Sequence, residues 1–182
     1  MLQITIPAME LWDERIEKFV TRKEQTLCLE HSLVSLSKWE SKWCKAFLGK
    51  SEKTDEETRD YIRCMTITQN VDPETYNYLT TENYKQIEEY IQAPMTATTF
   101  NDDRVSRGKQ QFKVVTAEVI YHWMISLQIP VEFQKWHLNK LLAQIRTCSA
   151  LNQSPKKMSR NDIIRQNAAI NAARRQKLNS KG

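Results

Sequence analysis

The chain has 182 residues, of which 40% are hydrophobic and 27% are charged, and its formal net charge is +5. This composition is sufficient for a buried core, and the length fits one domain with an extension. Only three residues are glycine, which argues against nucleotide-binding loops and against doubly wound α/β or all-β folds, because such structures need many positions that tolerate positive φ or close backbone approach.

The N-terminus predicts a small antiparallel β element. Apolar and polar residues alternate from residue 2 to residue 6, and Pro7 ends this strand. A second extended stretch is predicted over residues 23–30, with a polar turn at 13–15 and a short strand at 19–20 between them. Two strands alone are not stable in water, so we expect this element to pack on helices.

Apolar residues at spacings of three and four, with capping residues at their starts, predict helices over most of the remaining chain. They cover approximately residues 32–49, 54–68, 73–79, 82–92, 116–128 and 130–150. The second begins at a capping box in which Thr54 is the N-cap and Glu57 reaches back. Between the fourth and fifth, residues 95–100 are predicted to be extended and residues 101–111 to form a polar loop.

Residues 153–157 read as a linker, and a Ser-x-x-Asp capping box at Ser159 and Asp162 predicts a terminal helix to about Gln176. Its apolar stripe is thin and diluted by alanine. We expect this helix to be long and exposed, and to become ordered through a partner.

The positive charge is concentrated at this end of the chain. Residues 154–182 contain eight Lys and Arg against one acid, whereas the preceding residues contain 19 bases and 21 acids. This asymmetry is typical of an arm that contacts an acidic partner, either a nucleic acid or an acidic protein surface. A helix that only improves solubility is the alternative.

These patterns together predict a mainly α protein. We expect a multi-helix body over residues 1–150, with a small N-terminal antiparallel β element, and a basic helical arm over residues 154–182.

The sequence offers no catalytic constellation. Phosphate-binding, dinucleotide-binding, zinc-protease and serine-hydrolase motifs are all missing from it. The four cysteines have no C-x-x-C spacing and are predicted to be reduced, small buried side chains of a cytosolic protein; they are Cys28, Cys44, Cys64 and Cys148. We therefore expect no enzymatic activity.

A metal site is the one alternative that the histidines leave open. His122 and His137 lie on adjacent predicted helices, where they could meet and bind a metal together with Cys64 or Cys148. A partly buried histidine held by one hydrogen bond is the simpler interpretation, since the ligands have no paired spacing. We expect neither a metal nor a cofactor.

Two tryptophans and the basic arm are the candidates for binding. Trp39 and Trp43 lie one helical turn apart, either in the core or as exposed interface anchors. The arm lacks the interleaved aromatic residues on which bases stack, although Asn167, Asn171 and Arg174 share a similar face and could contact base edges.

The sequence resembles a family of small proteins from tailed phages and prophages of Gram-positive bacteria. The similarity extends over essentially the whole chain and is carried by residues 29–40, 60–66, 94–98, 155–159 and 171–175. The resemblance implies a non-enzymatic tail-module protein, most like a tail assembly chaperone. Such a chaperone keeps the tape-measure protein soluble in the host cytoplasm while tube subunits polymerise around it.

We therefore expect contacts with phage tail proteins, either the tape-measure or the tube protein. We expect no membrane association, and a homo-oligomer is possible. A structural virion component, such as a connector or minor tail protein, and a nucleic-acid-binding protein are the alternatives. The residues expected to contact the partner are Trp39, Trp43, Met95, Phe100, Lys156, Lys157, Arg160, Arg165, Arg174, Arg175 and Lys177.

Overall fold

The computed structural model describes residues 1–14, 17–99, 114–152 and 160–178. It confirms the prediction of a mainly α protein with a small antiparallel β element at the N-terminus. The α-helices are α1 (Leu33–Trp43), α2 (Asp55–Met65), α3 (Thr81–Gln92), α4 (Ala117–Ser126), α5 (Leu138–Asn152) and α6 (Arg160–Leu178). Short 3-10 helices cover Pro73–Tyr78 and Val131–Lys135.

Four strands follow one long hairpin path at the N-terminus. They are β1 (Leu2–Ile6), β2 (Met9–Asp13), β3 (Lys18–Arg22) and β4 (Gln25–Leu29). Strand β1 pairs antiparallel with β4, and β2 pairs antiparallel with β3 in the same register. The ladder is interrupted between the two pairs, where Pro7 has no N–H to donate. The hairpin thus has a proximal half, β1 and β4, and a distal half, β2 and β3.

The proximal half carries one face of the core. Ile4 and Ile6 of β1 and Leu27 and Leu29 of β4 are buried, and the residues between them face outward. This alternation is the period of two that the sequence shows. The helical residues buried with them are Leu33, Leu36, Trp39, Tyr61, Ile62, Met65, Ile87, Tyr90, Ala117, Ile120, Met124, Leu138, Leu141 and Ile145.

Capping residues set several helix starts. The Thr54 side chain accepts a hydrogen bond from the Glu57 N–H, and the Glu57 carboxylate accepts one from the Thr54 N–H, so the predicted capping box is confirmed. Ser32, near which the first helix was predicted to begin, caps α1 by accepting from the Ser35 N–H. Helix α3 is capped by Thr80 rather than Thr81, again by a reciprocal box, with Asn83.

Two helices end earlier than predicted. Helix α1 ends at Trp43, well before Gly49, because Cys44 takes a left-handed conformation with φ of 51°. Helix α2 ends at Met65 rather than near Thr68, because the following backbone pairs with β4: the Ile67 N–H donates to the Cys28 carbonyl at 2.8 Å.

The helix predicted over residues 130–150 is divided in two. Val131–Lys135 is a 3-10 helix, and α5 begins only at Leu138. The reason is again a distant strand-like contact: His137 forms an antiparallel bridge with Ser32, and the Leu138 N–H donates to the His31 carbonyl at 2.7 Å.

The chain separates into two compact units, Met1–Cys148 and Ser149–Gly182. Helix α6, in the second unit, spans 19 residues, and all its side chains from residue 164 to residue 178 are exposed. The expectation of a long, exposed terminal helix is therefore confirmed. Residues Ser159 and Asp162, the predicted capping box, lie outside the residues and side chains that the structure describes.

Candidate protein-interaction site

The two tryptophans selected from the sequence both form hydrogen bonds within the folded domain. Trp39 is only 1% exposed, and its indole N–H donates to the Glu57 carbonyl at 2.8 Å. Trp43 is half-buried, and its indole N–H donates to an Asp60 carboxylate oxygen at 2.8 Å. Of the two alternatives that the sequence left open for Trp39, the structure shows the core: this side chain is buried rather than exposed as an interface anchor.

Asp60 and Glu57 hold a network of charges beside these indoles. Burial acts to raise the pKa of Asp60, but hydrogen bonds from Lys42, Trp43 and Arg63 outweigh it and keep this pKa below its usual value. The Glu57 pKa is lowered first by its hydrogen bond with Lys45 and then by the capping contact. Both carboxylates are ionised and form ion pairs with neighbouring cations. This arrangement suits a structural role rather than general acid–base catalysis.

The segment after α3 departs from the predicted extended stretch at its first residue. Met95 is exposed, but its φ of 50° is left-handed rather than extended. No strand or helix forms over the described residues 93–99. Phe100, the other candidate of this segment, lies outside the described residues, whereas residues 94–99 are exposed.

The basic arm presents its described cations to solvent. Arg165, Arg174, Arg175 and Lys177 are all exposed on α6. Arg160 begins the helix, although its side chain is outside the described part, and Lys156 and Lys157 precede the described residues altogether. The described cations are therefore placed as the sequence analysis expects.

The tip of the hairpin carries an aromatic pair that the sequence analysis did not select. Trp12 and Phe19 are opposite each other on β2 and β3, with ring centroids 5.0 Å apart in an edge-to-face arrangement. Trp12 is 53% exposed and Phe19 is 68% exposed. Large aromatic side chains that are adjacent and exposed to solvent are typical of the hot spots of protein interfaces.

A signal for this pair was present in the sequence. Leu11-Trp12 and Phe19-Val20 are two apolar dipeptides placed symmetrically about a polar turn, and the same symmetry pairs Leu11 with Val20 and Trp12 with Phe19 in the observed register. In a hairpin that continued into the core these residues would be buried. The exposure of Trp12 and Phe19 is understandable only once the break at Pro7 is known.

The distal half of the hairpin is tied to the body at its base. The Arg22 guanidinium lies over the Tyr78 ring, with 4.7 Å to its centroid, and forms ion pairs with Glu74 and with Asp72 at 3.5 Å. An open cleft of about 430 Å³ adjoins this contact. Because two carboxylates neutralise Arg22, the cleft is a poor anion site, and the contact acts as a tether that fixes the hairpin.

A buried histidine pair lies at the centre of the first unit. The rings of His31 and His137 have centroids 5.2 Å apart, and His31 is 2% exposed. The His31 Nδ1 lies 2.6 Å from the Tyr61 hydroxyl oxygen. His137 donates from Nε2 to the Tyr90 carbonyl at 3.0 Å and accepts the Asn139 N–H at Nδ1, so its hydrogen bonds fit the neutral ring.

The environment keeps both rings neutral. Burial, followed by repulsion from His137, lowers the pKa of His31 to about 3. Burial also lowers the pKa of His137, against the hydrogen bond to the Tyr90 carbonyl and the charge of Glu30, which act to raise it. A general base needs a pKa near the working pH, so a ring with a pKa of about 3 is unsuited to that role.

The meeting of His122 with His137, which the sequence left open as an alternative, does not occur. His122 is exposed, and its Nε2 lies 3.4 Å from the Ser126 hydroxyl oxygen, whereas His137 meets His31 instead. Within the described ranges, no group of three or more His, Cys, Asp and Glu side chains could hold a metal ion.

The cysteines are free thiols, but they are not uniformly buried as the sequence predicts. Cys44 is exposed, and Cys28, Cys64 and Cys148 are only partly buried. Burial raises the pKa of the Cys64 thiol, which is opposite to the shift that activates a nucleophilic cysteine.

Comparison of the chain with models of protein families, with curated proteins and with solved structures finds no match. No helix in the described part of the chain is both long enough and apolar enough to cross a membrane. The physical evidence for function therefore rests on the surfaces of the molecule, of which the hairpin tip and helix α6 are the most distinctive.

Proposed function

We propose that this protein is a phage tail-morphogenesis factor: a non-enzymatic tail assembly chaperone that binds the tape-measure protein in the host cytoplasm. The family resemblance of the sequence supports the biological setting. The observation that carries the binding mode is the exposed Trp12–Phe19 pair at the hairpin tip.

The chemistry of this tip suits a long amphipathic helix as the ligand. Trp and Phe bury large areas with few rotatable bonds, so they anchor apolar stripes at a low entropic cost. Burial of apolar surface contributes roughly 25 cal/mol per Å², and the two exposed rings form one adjacent patch. The tether at Arg22 fixes the distal hairpin before binding, which limits the ordering that binding must bring about.

The proposal moves the partner surface away from Trp39 and Trp43. Those indoles donate hydrogen bonds inside the first unit, so substitutions there would alter folding and binding together. The hairpin tip, by contrast, can be changed without removing a core residue.

Co-expression with the tape-measure protein of the same phage tests the proposal. We expect the full-length chain to keep the tape-measure protein soluble and to co-purify with it, and the double variant W12S/F19S to lose at least 10-fold of that co-purification. The matched control is I125S/V131S, which removes two apolar side chains that are 76% and 59% exposed on a different surface.

Circular dichroism establishes that each variant is folded before binding is compared. Undiminished capture by W12S/F19S would remove the hairpin tip from the mechanism, and no interaction of the wild-type chain with the tape-measure or tube protein would refute the chaperone proposal. Mass spectrometry of purified particles separates a chaperone, which should be missing, from a connector or minor tail subunit, which should be present.

A further inference from the structure

The described side chains of helix α6 carry positive charge and include no acidic side chain to offset it. Its described side chains, residues 164–178, include four cations and no carboxylate, and all of them are exposed. Arg175 and Lys177 lie in the last turn, where the helix dipole favours them. The helix therefore presents a continuous positive potential along its C-terminal half.

The cations are distributed around the helix rather than along one face. At about 3.6 residues per turn, Arg165 and Arg174 are two and a half turns apart and point to opposite sides. Arg175 and Lys177 diverge by roughly 200°. A helix with cations on all sides is suited to a ligand that surrounds it, with negative charge on both flanks.

The described large apolar side chains of α6 do not form a seam for packing on a protein. Ile164 and Ile170 are six residues apart, which separates them by about a third of a turn. Both are exposed, as is Leu178. A helix that docks in a protein groove repeats large apolar anchors at three, four and seven residues on one face, and Ile164, Ile170 and Leu178, the large apolar side chains in the described part of α6, do not have that repeat.

The remaining side chains are amides and alanines. Gln166, Asn167, Asn171 and Gln176 are exposed donors and acceptors, which suit phosphate oxygens and base edges. Alanines at 168, 169, 172 and 173 keep the helix narrow along its middle. A narrow helix bearing cations at its ends and amides between them fits the B-DNA major groove, which is about 12 Å wide.

We infer that helix α6 binds duplex DNA through its phosphate backbone, lying in the major groove with its cations on both flanking strands. A-form RNA is disfavoured as the ligand because its major groove is deep and narrow. An acidic protein surface is disfavoured because the cations have no common face. This activity is separate from the binding proposed for the hairpin tip.

The full-length chain, titrated into a fluorescent 20-base-pair DNA duplex across a salt series, tests the inference. Four phosphate contacts give a slope of about −3.6 in log K against log salt, so affinity should fall about 150-fold between 50 and 200 mM salt. For the variant R174A/R175A/K177A, the affinity should fall only about 3-fold over the same salt range. This variant should also bind the duplex much more weakly than the wild type at 50 mM salt. Alanine favours helix, so these substitutions do not disrupt α6.

The matched control is K18A/K50A/K85A, which removes the same number of charges from exposed sites in the first unit. It should bind as the wild type does. Equal weakening by both triple variants, or no binding to the duplex at 50 mM salt, would overturn the inference. Tighter binding to an RNA hairpin than to DNA would refute the major-groove placement, and equal displacement by polyglutamate at matched charge would point to a protein ligand instead.

Discussion

The buried histidine pair predicts that the protein loses stability as the pH falls from 7 to 5. His31 is neutral in the folded protein because burial and the neighbouring His137 lower its pKa to about 3. In the unfolded chain its pKa is about 6.5. Protons therefore bind the unfolded state between these two values, and stability that is fully present above pH 6.5 is lost progressively as the pH falls.

The expected loss can be worked from the unfolded state alone. At pH 5 the folded ring is still neutral, so the loss depends only on the protonation of the unfolded ring, about 1.5 pH units below its pKa. At about 1.4 kcal/mol per unit, His31 accounts for roughly 2 kcal/mol of lost stability between pH 7 and pH 5. His137 acts in the same direction because its pKa is also lowered.

The groups around the pair do not reverse this sign. Glu30 acts to raise the His137 pKa, the N-terminal ammonium acts to lower it, and Tyr61 and Tyr90 have pKa values raised by burial and stay neutral here. The paired carboxylates Glu57 and Asp60 titrate lower, since their pKa values are depressed. The interval from pH 7 to pH 5 therefore reports mainly on the histidines.

Urea unfolding followed by tryptophan fluorescence at pH 7 and pH 5, at constant salt, measures the effect. The H31Q variant should show a smaller difference between the two pH values, by about 2 kcal/mol, even if it is less stable at both. The H122Q variant is the control because His122 is exposed, and it should behave as the wild type does. Equal stability of the wild type at both pH values, or a flattened response in H122Q, would refute the reasoning.

Substitutions at three further positions test the local structure by urea unfolding at pH 7. Trp39→Phe should cost about 1–3 kcal/mol, because the Glu57 carbonyl loses a buried donor; a cost near zero would contradict that hydrogen bond. Cys44→Gly should stabilise by about 0.5–1 kcal/mol, because glycine accepts the left-handed conformation, whereas Cys44→Ala should not stabilise. Thr54→Ala should cost about 1 kcal/mol through loss of the helix cap, and unchanged unfolding would show that the cap is not needed.

Local patterns were sufficient for much of this fold. The capping box at Thr54 was predictable because both of its partners lie within one helical turn, and the alternation in β1 and β4 identified the strands that face the core. The exposed terminal helix was predictable from its sparse apolar residues, since a helix with little to bury is left in solvent.

The failures come from contacts between distant residues. The helix expected over 130–150 is divided because His137 pairs with Ser32, and the backbone pairing of Ile67 with Cys28 ends α2 early. Helical periodicity continues through both positions, so a local reading extends each helix too far. The contact between His31 and His137 was missed for the same reason: the two residues lie far apart in sequence and meet through that pairing.

The candidate site exists because apolar side chains are buried in the proximal half of the hairpin and exposed in its distal half. On the proximal side of Pro7, Ile6 is buried; on the distal side, Trp12 and Phe19 are exposed in the same register. Residues that do not contribute to the core can be replaced at little cost to stability, so loss of binding in W12S/F19S would report on recognition rather than on folding. Because Trp12 and Phe19 lie outside the core, they can bury their apolar surface against a partner without breaking any core contact.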